Sequence, residues 1–112
     1  MASIDARALA LLPLTPAVFH LLLALADGPL HGYAIAKAVA EQTDDAVRLG
    51  PGTLYGTLTR MTEAELVREH SSDDRRRTYE LTALGRAAAT AEARRLARLV
   101  SVARTKSLLP RK

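Results

Sequence analysis

Three consecutive arginines, Arg75-Arg76-Arg77, follow the acidic pair Asp73-Asp74 and form the densest positive charge in the chain. Guanidinium groups placed like this suit phosphate oxygens or a narrow groove of negative potential. The plain alternative is a solvated hairpin in which the two aspartates cancel part of the charge. If the arginines lie on a strand, Arg75 and Arg77 share one side and Arg76 faces the other. A second set of candidates precedes them in Leu49-Gly-Pro-Gly-Thr-Leu-Tyr-Gly-Thr-Leu58. Pro51 is favoured at a first helical position, so the amides of Gly52 and Thr53 fall at a helix N-terminus, a ready seat for an anion. Thr53, Tyr55, Gly56 and Arg60 are the side chains or gaps that such a helix offers a partner. Arg60 suits a guanine edge or a phosphate. Tyr55 suits packing on the preceding helix or contact with a ligand.

Catalytic chemistry finds little in the same residues. His20, His31 and His70 have no metal-ligand spacing with each other or with carboxylates. Ser71-Ser72 sits in a polar turn without a nucleophile-elbow motif. Glu63, Glu65 and Glu69 follow helix and strand spacing rather than converging. Gly50-Pro-Gly52 lacks the lysine of a phosphate-binding loop. The expectation is a non-enzyme with no cofactor and no metal.

The elements that must hold these groups can be read from spacing and caps. Residues 1–14 form a lead with one or two helical turns. A first main helix is expected over 16–26, with Thr15 as N-cap and Pro16 at the first position. Asp27-Gly-Pro29 stops it. A helix over 32–42 follows, with Tyr33, Ile35, Ala36 and Val39 inward. His31 and Tyr33 are read as fixing the corner before it, with contact to a ligand as the alternative. Arg48 and Leu49 make a brief strand or a connector. The helix from Pro51 buries Leu54, Leu58 and Met61 and leaves Gly52, Gly56, Thr59, Arg60 and Glu63 on the other side. A two-stranded ribbon carries Val67, Glu69, Thr78 and Glu80 in alternation. A long helix starts with Thr82 as N-cap and runs to about Ser107. Its apolar face moves from Leu84, Ala88 and Ala91 to Leu96, Leu99, Val100 and Ala103. That shift predicts a change of partner, from the domain itself to a second subunit. The fold class is therefore mainly α with a small β-hairpin wing, a winged helix-turn-helix followed by a long C-terminal dimerisation helix. The division is 1–81 for the winged domain with its lead and 82–112 for the dimerisation helix and tail.

Bulk properties agree with one small domain. The chain has 112 residues, a formal charge of +4 and a sequence pI near 10.0, a weak bias towards polyanions. It has no cysteine, which excludes disulfides and thiolate metal sites. The uncharged run from Ala8 to Ala26 is interrupted by Pro13 and Pro16 and reads as a buried helix rather than an export signal or membrane span. A cytoplasmic location and no membrane partner are expected.

Gly28-Pro-Leu-His-Gly-Tyr33, Leu49-Gly-Pro-Gly-Thr-Leu-Tyr55 and Arg75-Arg-Arg-Thr-Tyr-Glu-Leu-Thr-Ala-Leu-Gly-Arg86 together resemble the signature of PadR-type transcriptional regulators, over about Leu14 to Ala93. The resemblance implies a winged helix, a homodimer built by the terminal helices, and repression of nearby genes relieved by a small-molecule effector. It also implies that the helix from Pro51 reads the major groove of double-stranded DNA at a pseudo-palindromic operator, with the wing along the backbone or minor groove. Three features depart from it. Glu65 stands where the family has glycine, the chain ends soon after the long helix, and it has no Trp for stacking a flat ligand. The expected function is a sequence-specific, homodimeric repressor. The DNA set is Gly52, Thr53, Tyr55, Gly56, Arg60, Arg75, Arg76 and Arg77, and the dimer set is Leu96, Leu99, Val100 and Ala103. The alternative is a winged-helix protein–protein module without operator binding.

Overall fold

Hydroxyl caps set where several helices begin. The computed structural model describes residues 2–71 and 77–110. Its order is α1 (Ile4–Ala10), α2 (Pro16–Ala24), β1 (Leu30–His31), α3 (Gly32–Gln42), α4 (Pro51–Glu63), β2 (Val67–Ser71), β3 (Arg77–Leu81) and α5 (Ala83–Thr105). The Thr15 hydroxyl accepts from the Val18 amide at 3.3 Å, with Pro16 opening α2. The Thr82 hydroxyl accepts from the Gly85 amide at 2.9 Å and opens α5. Each such cap satisfies a helix-end donor that would otherwise lack a partner. Helix α4 is different. Its N-cap is Gly50, and no side chain caps it.

The ribbon is one ladder of a larger sheet. β2 and β3 are antiparallel, with Val67 opposite Leu81 and Glu69 opposite Tyr79. β1 adds a third strand on the far edge of β3, with Leu30 opposite Tyr79 and His31 opposite Thr78. The expected two-stranded wing is present as β2 and β3, and β1 makes the sheet three-stranded among the described residues. The pairing explains the corner: His31 is held by the ladder, as well as preceding α3.

The core is aliphatic, as a chain with so few aromatics requires. Leu21, Leu22 and Leu25 meet Ile35 and Val39 of α3, Leu54, Leu58 and Met61 of α4, Val67 and Tyr79 of the sheet, and Leu84 and Ala88 of α5. Burying each large aliphatic side chain stabilises the fold by roughly 1.5–3 kcal/mol relative to exposure. The stripe expected on α4 is therefore the buried one. Tyr33 is a correction. It was expected inward, but it is 76% exposed. Lys37, one helical turn later, is exposed too, so this face of α3 points to solvent. Arg48 and Leu49 are a connector, not a strand. α2 stops at Ala24 and α5 at Thr105, each two residues before the expected end.

Two charged residues support the fold. Glu92, in the middle of α5, is only 2% exposed. It accepts from Arg95 Nε at 2.6 Å and Nη2 at 3.1 Å, and from the Leu14 amide at 3.1 Å. The Arg95 hydrogen bonds outweigh burial and hold its carboxyl below the usual range, so it stays ionised and ties the lead segment to α5. Glu65 sits between α4 and β2 at a φ of +65°. The left-handed backbone that the family's glycine would adopt freely is present here, and a non-glycine residue costs about 1 kcal/mol there. Two contacts hold the turn. Arg7 Nη2 of α1 pairs with the Glu65 carboxylate at 3.0 Å, and the Thr82 hydroxyl donates to the Glu65 carbonyl at 2.6 Å.

Candidate nucleic-acid interface

Helices α3 and α4 form the helix-turn-helix, and α4 turns its polar side outward because Leu54, Leu58 and Met61 fix the opposite side in the core. Its first turn holds no acidic residue, while Glu63 lies at its far end. The amides of Gly52 and Thr53 have no partner within the helix and no capping side chain. They add to the positive end of the helix dipole. This end of α4 is therefore the electropositive one.

The glycines divide into two kinds. Among the described residues, a Cβ added at Gly50 or Gly52 would meet nothing within 4 Å, and one at Gly56 would meet only Arg60 Nη1 at 3.7 Å. The fold leaves room for side chains at all three positions. By contrast, a Cβ on Gly32 would collide with the Tyr55 phenol, and one on Gly85 with the Leu66 carbonyl oxygen. Tyr55 therefore does one of the two things expected of it in full view: its ring packs on Gly32 of α3. It is also 42% exposed, so part of the ring joins the outer face.

Arg60 does not extend away from the helix. Its Nη2 donates to the Thr57 hydroxyl at 3.2 Å, and Nη1 lies over Gly56. The guanidinium is thus drawn back along α4 towards the electropositive end. Thr53 and Thr59 are exposed on the same outer surface. The sequence-predicted set on α4, namely Gly52, Thr53, Tyr55, Gly56 and Arg60, occupies one continuous face.

The hairpin is more evenly charged at its described root. Arg77 Nε lies 3.5 Å from Glu69 Oε2 across the strands. On the other face, Glu80 accepts from Arg68 Nε at 2.6 Å and sits 3.1 Å from His70 Nε2. Arg77, Glu69 and Tyr79 line a small cleft against Thr59, Thr62 and Glu63 of α4. Burial, with Glu69 adding to it, pushes the Tyr79 phenol above its ordinary pKa, so it stays un-ionised in that cleft. Arg77 is 67% exposed in its side chain and so retains most of its charged surface in solvent. Arg75 and Arg76, the other two wing arginines, lie outside the described residues. Tyr33, favoured in the sequence reading as a corner residue with ligand contact as the alternative, is exposed, and so is Lys37 one turn later on α3, which that reading did not single out. Lys37 was the available signal, because a lysine one turn from Tyr33 marks a solvent face.

The dimer set expected on α5 is exposed or half-buried. Leu99 is 52% exposed, Val100 is also exposed, and Leu96 and Ala103 are half-buried. Val102, Leu108 and Leu109 extend the apolar surface. Among the described residues no helix is long and apolar enough to cross a membrane.

Comparison with known proteins places this geometry among relatives. Residues 21–91 match the model of the transcriptional regulator PadR-like family. A 37.1 kDa protein in transposon Tn4556 of Streptomyces fradiae is 49% identical over 78 residues, which make up 70% of this chain. The chain spans 22% of the length of that curated relative. A PadR family transcription regulator from Clostridium difficile has a similar structure, with a TM-score of 0.70 at 25% identity over 79% of this chain and 94% of that one. Bacillus subtilis PadR, solved in complex with operator DNA, has a TM-score of 0.58 at 20% identity over 68% of this chain and 45% of that one. At that identity the last likeness speaks for the fold alone.

Proposed function

The chain belongs to the PadR-like family of transcriptional regulators, and from this premise we propose that it acts as a homodimeric, sequence-specific repressor on a pseudo-palindromic operator. The observation that carries the reading is the outer face of α4. It combines an uncapped, acid-free N-terminus with glycines that the fold itself does not require. Missing side chains there let the backbone approach a duplex closely.

In this reading the amides of Gly52 and Thr53 hold a phosphate, and Arg60 reaches a base edge in the major groove. Thr53, Tyr55 and Gly56 fill the helix surface against the groove. Arg77, with Arg75 and Arg76 of the wing, contacts the neighbouring backbone or minor groove. Tyr33 and Lys37 flank the same duplex from α3. Residues 1–81 are the reading unit and residues 82–112 the dimerisation unit. A small-molecule effector belongs to the proposal through the family resemblance. Helix α5 carries no aromatic side chain, so such a ligand would not be held there by stacking.

Leu96, Leu99, Val100 and Ala103 form the dimer surface in this proposal. Such a contiguous apolar stretch is uncommon on a monomer. Leu99→Glu is expected to yield monomers in light scattering with the winged domain still folded. A dimer that persists in this variant would place the interface elsewhere.

The test of function is fluorescence anisotropy with the duplex upstream of the chain's own gene against a scrambled duplex, at several salt concentrations. A specific regulator should favour the first by about a thousandfold or more at physiological salt. Equal, steeply salt-dependent binding to both would reduce the activity to generic cation–phosphate attraction. No binding to either would leave the protein–protein module as the better account.

A further inference from the structure

Thr57 lies on the seam between the core and the outer face of α4. It is 1% exposed, yet it carries a hydroxyl. That hydroxyl donates its proton to the Thr53 carbonyl at 2.8 Å, one turn back along the helix. With the proton committed, the oxygen is left as an acceptor, and Arg60 Nη2 donates to it at 3.2 Å. Thr59 and Thr62 make the same backward bonds, to the Tyr55 and Leu58 carbonyls, but both side chains are on the exposed side and, among the described residues, neither holds a guanidinium. Thr57 is anchored by the core around it, and the Gly56 surface leaves Arg60 room to lie over the helix.

We infer that Thr57 is a positioning residue for base recognition: its buried hydroxyl fixes the Arg60 guanidinium over Gly56, so that Arg60 meets a base edge in a set orientation. The inference rests on the operator-binding reading above and names the group that sets specificity within that face. A long arginine side chain has many rotamers, and fixing it before binding lowers the ordering cost of the contact. One of its five donors holds Thr57, which leaves a pair of donors for a bidentate contact with guanine O6 and N7. Specificity in this arrangement comes from a residue that never touches the duplex.

The test uses Thr57→Val, which keeps the buried shape and removes the hydroxyl, and Thr57→Ser, which keeps the hydroxyl. The probes are the operator duplex mapped by footprinting upstream of the gene and the set in which each of its base pairs is changed in turn. Arg60→Ala identifies the base pair that Arg60 reads. At that pair Thr57→Val should lower discrimination about fivefold, a fraction of what one bidentate contact supplies, while leaving the salt slope unchanged. Thr57→Ser should restore it. Discrimination in Thr57→Val equal to wild type, or an equal loss in Thr57→Ser, overturns the positioning role. Arg60→Ala with unaltered discrimination overturns it as well, yet leaves operator binding intact. Wild-type protein without preference for the operator overturns both readings. Nitrogen-15 relaxation of the Arg60 side chain in the free protein gives a measure that needs no DNA. Ordering should be lost in Thr57→Val and kept in Thr57→Ser, and equal mobility in wild type and Thr57→Val overturns the inference.

Discussion

A chain carrying Gly52→Glu is expected to melt at or above the wild-type temperature and to bind operator duplex at least about a hundredfold more weakly, the scale of a like-charge contact buried in an interface. The two halves of this expectation have separate causes. Gly52 is the second residue of α4, and a Cβ there meets nothing within 4 Å. Replacing glycine within a helix removes a penalty of up to about 1 kcal/mol. A carboxylate in the first turn, where α4 has none, also complements the helix dipole by about 0.3–1 kcal/mol. Within the free protein the substitution is favourable. Against a duplex it places a negative charge where a phosphate is proposed to sit. Ala93→Glu makes the same charge change at an exposed site on α5 and serves as the control for net charge. Thermal melting and anisotropy on both variants decide the matter. Affinity of Gly52→Glu within about threefold of Ala93→Glu would mean that only the overall field had changed, and that the N-terminus of α4 does not meet DNA.

What the sequence made legible was mostly local. Thr15-Pro16, Pro51 and Thr82 announce helix starts through side chains that act on amides two or three residues away or preset the backbone, and all three starts stand where they were expected. The buried stripe of α4 is likewise a matter of spacing within one helix. The features that escaped depend on residues far apart in the chain. Leu30-His31 is a strand because β3 lies beside it, and two residues carry no pattern of their own. Glu92 looks like a surface charge in an alanine-rich helix, and only the returning Leu14 amide makes it a buried anchor. Tyr33 is expected inward but is exposed, with the exposed Lys37 one turn later on the same face of α3. Thr57 is different in kind. It falls between Leu54 and Met61, three residues from one and four from the other, the spacings that mark the buried side, so its burial was available from the pattern. Its use as an acceptor for Arg60 was not, because that depends on which way a long side chain turns.

Gly85→Ala is expected to destabilise the fold by about 3 kcal/mol, the upper end of the usual cost of overpacking. The added Cβ would overlap the Leu66 carbonyl oxygen and come within 2.9 Å of its carbon. A flexible side chain could yield, but this obstacle is backbone. The same carbonyl accepts from the Thr82 amide at 3.1 Å, so lifting α5 away strains its own N-cap. Leu66 and Val67 beneath it are buried, which blocks movement in the other direction. For a domain of this size the loss corresponds to a fall in melting temperature of about 10 °C or more. Gly52→Ala makes the identical chemical change and should raise the melting temperature slightly, because nothing stands in its way and alanine favours helix. The pair thus separates glycine required by packing from glycine left for a partner. The Gly85→Ala chain should also bind DNA less well when folded, since the Leu66 turn and Thr82 are the two roots of the hairpin and set its angle to α4. A Gly85→Ala chain melting within about 2 °C of wild type would show that α5 does not rest on the α4–β2 turn, and the hairpin would then need another support.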